Sequence, residues 1–329
     1  MLDFAKIVTI DQDENYYLSF PDIVRSVVNP TTFFMAYRSG NGHHPTKSNL
    51  IIKKSTDNGH NWTTIKEIPL NLHEDKYVWN CPRLSYVGAT LCLTCDSKSG
   101  TYERTSQFKT VFLASNNEGK TFMTLETPIP GMVPDKIVIF KGKFFCANHK
   151  IKNEQNHLIQ LVSWSKDRNI WYDTNVMAHS LDHQFCEASI VNMNDEHLIA
   201  YLRDNSGHVR NIHTVTSKDG IEWSTPKKLN IFGQRVTARK YDDTRTMGAF
   251  RNTANVNVSL FVHDLKTGKL KTVDIDHDHR QNLYNFGYTG LEYNGEDYLL
   301  PYYIKKDEPE PYINLAFIPK KELDKHLFG

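Results

Sequence analysis

The sequence predicts an all-β chain, a six-bladed β-propeller of four-stranded antiparallel blades, and three observations predict it. A short phrase recurs: Ser55-Thr56-Asp57-Asn58-Gly59-His60-Asn61-Trp62 returns as Ser115-Asn116-Asn117-Glu118-Gly119-Lys120-Thr121-Phe122. It returns twice more in shortened form, as Ser165-Lys166-Asp167-Arg168-Asn169-Ile170-Trp171 and as Ser217-Lys218-Asp219-Gly220-Ile221-Glu222-Trp223. The leading serines lie 60, 50 and 52 residues apart, a period that marks a repeat architecture. Each phrase is preceded by two strand-sized segments joined by turn residues. A chain of 329 residues has room for about six such units, so residues 1–329 read as one domain.

The phrase is a hairpin clasp: Ser and Asp close a turn on backbone groups, Gly or Asn takes the special dihedral, and the aromatic drops into the core. The strand pairs follow in order. Blade one offers Asp22 to Val28 and Thr32 to Arg38, and blade two Cys81 to Leu84 and Leu91 to Asp96. Blade three offers Pro134 to Val138 and Phe144 to His149, and blade four Phe185 to Val191 and His197 to Arg203. Blade five offers Arg235 to Ala238 and Thr246 to Arg251, with a decayed clasp at His263 to Gly268. Blade six offers Gly287 to Leu291 and Tyr298 to Tyr303. Turns such as Asn194-Asp195-Glu196 and Asn294-Gly295-Glu296 carry hairpin chemistry. The run Tyr312 to Ile318 is expected to pair with Ile7 to Ile10 and close the ring, and one short helix is expected over Lys320 to His326.

Composition removes several function classes. The formal net charge is +1 with both signs mixed throughout, so no basic stripe favours nucleic acid. The longest apolar runs are strand-sized and Met1 to Lys6 has no apolar leader core, so neither a membrane span nor a signal peptide is expected, and the chain reads as soluble. Five cysteines do not make a disulfide framework, which favours a reducing compartment. Cys92 and Cys95 fall in one strand at odd spacing, which points them to opposite faces and into core packing. The fifteen histidines, His43, His44, His149 and His183 among them, show no compact ligand spacing. No metal and no cofactor is expected.

In this layout the start of each innermost strand and the end of the next open on one end of a central channel. Strand starts there offer Asp22 or Arg25, Arg83, Asp135, Glu187, Arg235 and Tyr288; strand ends offer Arg38, Asp96, His149, Arg203, Arg251 and Tyr303. Charged groups converging on one concavity are costly unless they serve a ligand or pair with one another.

The clasp resembles the Asp box (BNR repeat) of the sialidase (neuraminidase) superfamily, where it joins the third and fourth strands of propeller blades. That resemblance extends to the order of residues at the channel. Sialidases hold the substrate carboxylate with three arginines from different blades and use a tyrosine nucleophile backed by a glutamate. Glu187, Arg203, Arg251 and Tyr288 follow the family's order, and Arg25 resembles its first arginine. The resemblance implies an exo-glycoside hydrolase releasing a terminal acidic sugar, such as a sialic or related nonulosonic acid, from an acidic glycan or glycoconjugate. Arg25, Arg203 and Arg251 would bind the substrate, with Arg38, Arg83, Asp96, Asp135 and His149 around them. Guanidinium forks read a carboxylate bidentately. A neutral phenol deprotonated as it attacks avoids placing a carboxylate nucleophile against an anionic sugar.

The family's aspartate acid/base is missing from the loop Ser39 to Asn49, which leaves His43 or His44 for proton transfer. Two other readings stay open: a lyase in which Tyr288 and a histidine act as acid and base beside a uronate carboxylate, and a non-enzymatic acidic-glycan-binding propeller. In the last, Trp79 and Tyr302 or Tyr303 would supply stacking surfaces. Oligomeric state is not set by the sequence.

Overall fold

A computed structural model describes residues 2–69, 77–99, 109–151, 157–167, 171–207, 209–277 and 285–329. After strand β1 (Lys6–Asp11), a first sheet holds β2 (Tyr17–Arg25), β3 (Phe33–Gly40), β4 (Ser48–Ser55) and β5 (Thr63–Pro69). A second holds β6 (Tyr77–Val87), β7 (Thr90–Ser99), β8 (Lys109–Ser115) and β9 (Met123–Pro130). A third holds β10 (Val138–Phe140), β11 (Lys143–Ile151), β12 (Leu158–Ser165) and β13 (Trp171–Ala178). A seven-stranded sheet follows, with β14 (Phe185–Met193), β15 (His197–Asp204), β16 (Asn211–Ser217), β17 (Lys227–Lys240), β18 (Arg245–Asn252), β19 (Asn257–Asp264) and β20 (Leu270–His277). The last sheet joins β21 (Glu292–Tyr293), β22 (Asp297–Ile304) and β23 (Tyr312–Pro319) to β1, and the helix α1 (Lys320–Phe328) ends the chain.

The expected all-β class and the antiparallel four-stranded sheets are present. The seven-stranded sheet was not expected, and its cause is one strand. β17 is 14 residues long; Lys227 to Phe232 pair with β16, and from Gly233 onward it pairs with β18. At the changeover a Cβ on Gly233 would stand 2.4 Å from the Phe250 ring and 2.9 Å from the Arg251 carbonyl oxygen. Glycine there lets the chain run on without a turn.

Closure is made as the terminal runs predict, with Ile7 opposite Ala316 and Thr9 opposite Asn314. Apolar side chains fill the spaces between successive sheets. Phe34 and Ile52 of the first meet Leu84 and Leu93 of the second. Phe112 meets Cys146 and Trp171, and Phe145 meets Ile190 and Leu202. Within the seven-stranded sheet, Tyr201 and Val191 pack on Val236 and Phe261. Met247 and Leu260 then meet Leu300 and Ala316, and Leu299 and Leu315 return to Phe33 and Met35. Cys92 and Cys95 join different clusters, as alternation along a strand requires.

The clasps close the hairpins as their residue types demand. Ser55 Oγ donates to Asp57 Oδ1 at 2.7 Å and accepts the Gly59 N–H at 3.0 Å, while Asp57 Oδ1 accepts the Asn61 N–H at 2.9 Å. Ser115 and Asn117 repeat the pattern on Gly119 and Thr121, and Ser217 and Asp219 on Gly220 and Ile221. In the third clasp Ser165 and Asp167 are described, and its residues 168–170 lie outside the described residues. Asp57→Ala removes the acceptor of the Asn61 amide, so unfolding in urea should show a loss of about 1 kcal/mol, with the far end of the sheets unaffected.

Candidate functional site

Among the described residues β2, β6, β10, β14 and β21 are sheet edges, and beyond Gly233 β17 pairs with β18 alone, so their backbone and side chains must find other partners. A shared device answers this. Phe20, Cys81, Glu187 and Arg235 have φ of 60, 43, 50 and 46°, and each lies in a bulge where the ladder to the next strand slips. Val133, ahead of β10, has φ 49°, and Gly287, ahead of β21, has φ 85°. A non-glycine residue at positive φ is held there by its surroundings, at a cost of about 1–3 kcal/mol.

Two residues beyond five of these six, a side chain ties one inner segment to another, and beyond Gly287 the Thr289 carbonyl serves as acceptor. Asp22 Oδ2 accepts the Leu84 N–H at 2.7 Å, Asp135 Oδ2 the Ile190 N–H at 2.9 Å, and Ser189 Oγ the Ala238 N–H at 3.0 Å. Thr237 Oγ1 and Arg83 Nη1 both donate to the Thr289 carbonyl oxygen. Three of the four bulges thereby turn a side chain, that of Phe20, Cys81 or Glu187, into the lining of a cavity and lock the next layer beneath it.

The cavity measures about 510 Å³, and Phe20, Cys81, Val133, Glu187 and Tyr288 all line it. In its lining Tyr288 Oη lies 2.8 and 3.0 Å from the two Glu187 carboxylate oxygens. Arg203 Nη1 donates to both, at 2.8 Å to Tyr288 Oη and 3.0 Å to Glu187 Oε2. The Arg251 guanidinium stands 4.5 Å over the Tyr288 ring, with its donors on Phe286 O, Gln234 Oε1 and Tyr303 Oη.

Burial works against an ionised Glu187, but the Arg203 and Arg235 guanidiniums override it and hold the carboxyl down at about 2. Burial also pushes the Tyr288 phenol well above its usual range. The resting pair is a neutral phenol donating to a carboxylate. Burial lowers His149 to about 4, so its ring is neutral, and its Nδ1 accepts the Glu187 N–H at 3.4 Å. His43 and His44 also line the cavity, with rings 4.7 Å apart, and His43 Nδ1 is 2.9 Å from Tyr17 Oη.

Of the residues singled out by sequence, the structure brings Glu187, Arg203, Arg251, Tyr288, His43, His44 and His149 to this cavity. Arg25 is corrected. It pairs with Phe33, which pairs with Ser55, so it sits at the clasp end of its sheet with Nε on the Pro30 carbonyl. The expected start of that strand, Asp22, was five residues late; β2 begins at Tyr17, and the cavity end of the blade is Ser19 and Phe20, opposite Arg38. Arg38, Arg83, Asp96 and Asp135 stand behind the cavity wall. Arg38 stacks 4.5 Å from the Phe20 ring and donates to Asn80 and to the carbonyls of Gly42 and His43, fixing the histidine loop. Arg83 pairs with Asp22 at 3.4 Å, and Asp96 accepts from Asn80. Trp79, Tyr302 and Tyr303 are buried at 1% exposure or less and offer no stacking surface. Sequence reasoning missed Phe20, Asn80, Cys81, Val133, Asn205 and Gln234 in the lining. The repeated steps Phe20-Pro21-Asp22, Cys81-Pro82-Arg83 and Val133-Pro134-Asp135 were the available signal. Among the described residues no group of three or more His, Cys, Asp or Glu is placed to hold a metal ion.

A family model for the BNR repeat-like domain matches residues 31–283. No curated protein matches the chain in sequence. Among solved structures, a protein of unknown function from Dyadobacter fermentans is similar with a TM-score of 0.79 at 16% identity, over 96% of this chain and 99% of that one. The alpha-L-arabinanase of Penicillium chrysogenum, complexed with arabinobiose, gives 0.72 at 13%, over 96% and 98%. Trypanosoma rangeli sialidase gives 0.73 at 12%, over 99% of this chain and 61% of that one. At such identities the likeness is one of fold.

The His149 geometry sets a pH dependence. Its folded value of about 4 lies below the ordinary 6.5, so the unfolded chain binds the proton more tightly. The neutral form's stability is intact above 6.5 and is lost as pH falls from 6.5 toward 4. His149→Gln should flatten the fall of the thermal midpoint in that window, measured by calorimetry, while leaving the further fall below 4.5 that protonation of Glu187 causes.

Proposed function

The chain belongs to the BNR repeat-like family, and from that premise we propose a retaining glycoside hydrolase that releases a terminal carboxylate-bearing sugar. The observation that carries the reading is the Tyr288 hydroxyl between both Glu187 oxygens, with Arg203 Nη1 touching each partner. Six propeller blades in one domain, 1–329, form the frame in this reading; β17 supplies the outer strand of the fourth blade and the inner strand of the fifth.

Tyr288 Oη attacks the anomeric carbon as Glu187 takes the phenol proton. A carboxylate held near 2 is a weak base, so the proton moves only as the carbon–oxygen bond forms. His43 or His44 gives the leaving oxygen its proton, and the glycosidic bond breaks. Water then attacks the glycosyl–Tyr288 ether with a histidine taking its proton, and Glu187 returns its own to the phenolate. Nothing is consumed beyond water.

Among the described residues the lining charges are Arg203 and Arg251 against Glu187, a positive balance that favours an anionic sugar. Two arginines rather than three would hold its carboxylate, with the neutral His149 ring beside them. A second reading keeps the chemistry and takes a neutral sugar: the Arg251 donors already rest on Phe286, Gln234 and Tyr303, and the similar arabinanase was complexed with arabinobiose.

Aryl glycosides of acidic and neutral sugars separate the two. Turnover of the acidic set is expected, and turnover of arabinosides alone would replace the leading reading with the second. Tyr288→Phe should bind the substrate normally and lose at least about a hundredfold in kcat; normal turnover in that variant rejects the nucleophile. Arg203→Lys keeps charge but loses the fork, and kcat/KM should drop by roughly ten- to a hundredfold, about 1.4 to 3 kcal/mol. An ultraviolet-absorbing unsaturated product would instead indicate a lyase, and binding of acidic glycans without turnover would indicate a lectin-like protein.

A further inference from the structure

We propose that Tyr17 is a positioning residue that holds neutral His43 as its Nδ1–H tautomer, so that His43, rather than His44, exchanges the proton with the leaving group, through Nε2. This rests on the hydrolase reading above and chooses between its two histidines. Tyr17 opens β2 opposite Gly40, where β3 ends. The loop between Gly40 and Ser48 is cinched by Asn41, whose Oδ1 accepts the Thr46 N–H at 2.9 Å. Arg38 Nη2 donates to the His43 carbonyl at 3.0 Å and to that of Gly42 at 3.3 Å. The loop thereby folds back over the start of β2 and sets the imidazole T-shaped against the Tyr17 ring, with centroids 5.7 Å apart.

The protons around Tyr17 Oη set the tautomer. The hydroxyl has one proton, and burial, which pushes the phenol well above its usual range, keeps it there. Asn285 Oδ1, at 2.8 Å, is an acceptor only, so the proton in that bond is Tyr17's. His43 Nδ1, at 2.9 Å, then has to donate to the Tyr17 oxygen. Tyr303 fits the same order: its Oη accepts from Arg251 Nη2 at 2.7 Å and keeps a proton of its own for the hydrogen bond with Tyr17.

A ring so held suits both halves of the reaction. Protonated, His43 keeps its Nδ1–H on Tyr17 and gives the Nε2 proton to the glycosidic oxygen as the bond to the anomeric carbon breaks. Neutral, it keeps the same Nδ1–H, and the Nε2 lone pair takes a proton from the water that attacks the glycosyl–Tyr288 ether. One nitrogen serves in both directions, with no change of tautomer between them. In the other tautomer the basic nitrogen would be Nδ1, which faces the buried Tyr17 hydroxyl. The nucleophile belongs to the same packing unit: His43 and Tyr288 both pack on the Phe20 ring, with centroids 6.1 and 5.2 Å from it.

Long-range proton–nitrogen NMR of the histidine-labelled protein, with His43 assigned by its loss in His43→Gln, reads the tautomer directly. Once the ring is neutral, the parent is expected to show a protonated Nδ1 and a bare Nε2; the reverse pattern overturns the proposal. Tyr17→Phe removes the acceptor, so the ring should move toward the Nε2–H form, with cooperative melting as the check on folding. The same variant should lose at least about tenfold in kcat/KM on an alkyl glycoside and under about twofold on a dinitrophenyl one, whose leaving group needs no proton. Equal losses on both, or an unchanged tautomer in folded Tyr17→Phe, overturn the proposal. If Tyr17→Phe does not fold, the parent spectrum decides. Because the tautomer is read without substrate, a parent that turns over no glycoside would reject the hydrolase reading and leave the Tyr17–His43 pairing to the spectrum.

Discussion

The site depends on a backbone reversal made near the start of each innermost strand. Left-handed residues at Phe20, Cys81, Val133, Glu187 and Arg235 carry steric strain that no isolated strand would hold. The cross-strand bonds from Asp22, Asp135, Ser189 and Thr237 hold it. Each satisfies a backbone group at a strand edge that has no further strand beside it. The same slip that strains the backbone turns alternate side chains out of the pleat, so that groups from several sheets meet in one volume.

Charge at the channel follows from the same arrangement. Arg38, Arg83, Arg203, Arg235 and Arg251 are all largely buried, as are Asp22, Asp96, Asp135 and Glu187. Buried ions persist when they are paired or hydrogen-bonded. Most do so in the layer behind the cavity: Arg83 against Asp22, Arg38 on Asn80 and loop carbonyls. Among the described residues, Arg203, Arg251 and Glu187 bring charge to the cavity surface. The sorting into a supporting layer and a facing layer separates residues that the sequence offers as one group.

Much of the fold was legible because its signals are local. The clasp residues bond their own backbone within four positions, as Ser55 does to Gly59, and the terminal runs pair as their alternation implies. Glu187, Arg203 and Tyr288 were legible because hairpin spacing fixes which strand ends share an end of the sheet. Arg25 was misplaced for a physical reason: with side chains alternating along a strand and a bulge at Phe20 and Pro21, a start read five residues late exchanges the two ends of the hairpin. Gln234, Asn80 and Asn205 carry no charge and gave no pattern. Arg235 was visible as a strand start, but its distinction from Arg203, a buried charge against a lining one, is set by packing between sheets that no local spacing encodes.

The central claim is that the phenol of Tyr288 becomes bonded to the sugar. Intact mass followed by peptide mapping, after incubation with activated fluoro glycosides of acidic and neutral sugars, tests it most directly. The account predicts a single glycosyl adduct, on Tyr288, absent from Tyr288→Phe. An adduct on Glu187, or turnover of the same sugars with Tyr288 unmodified throughout, would contradict it.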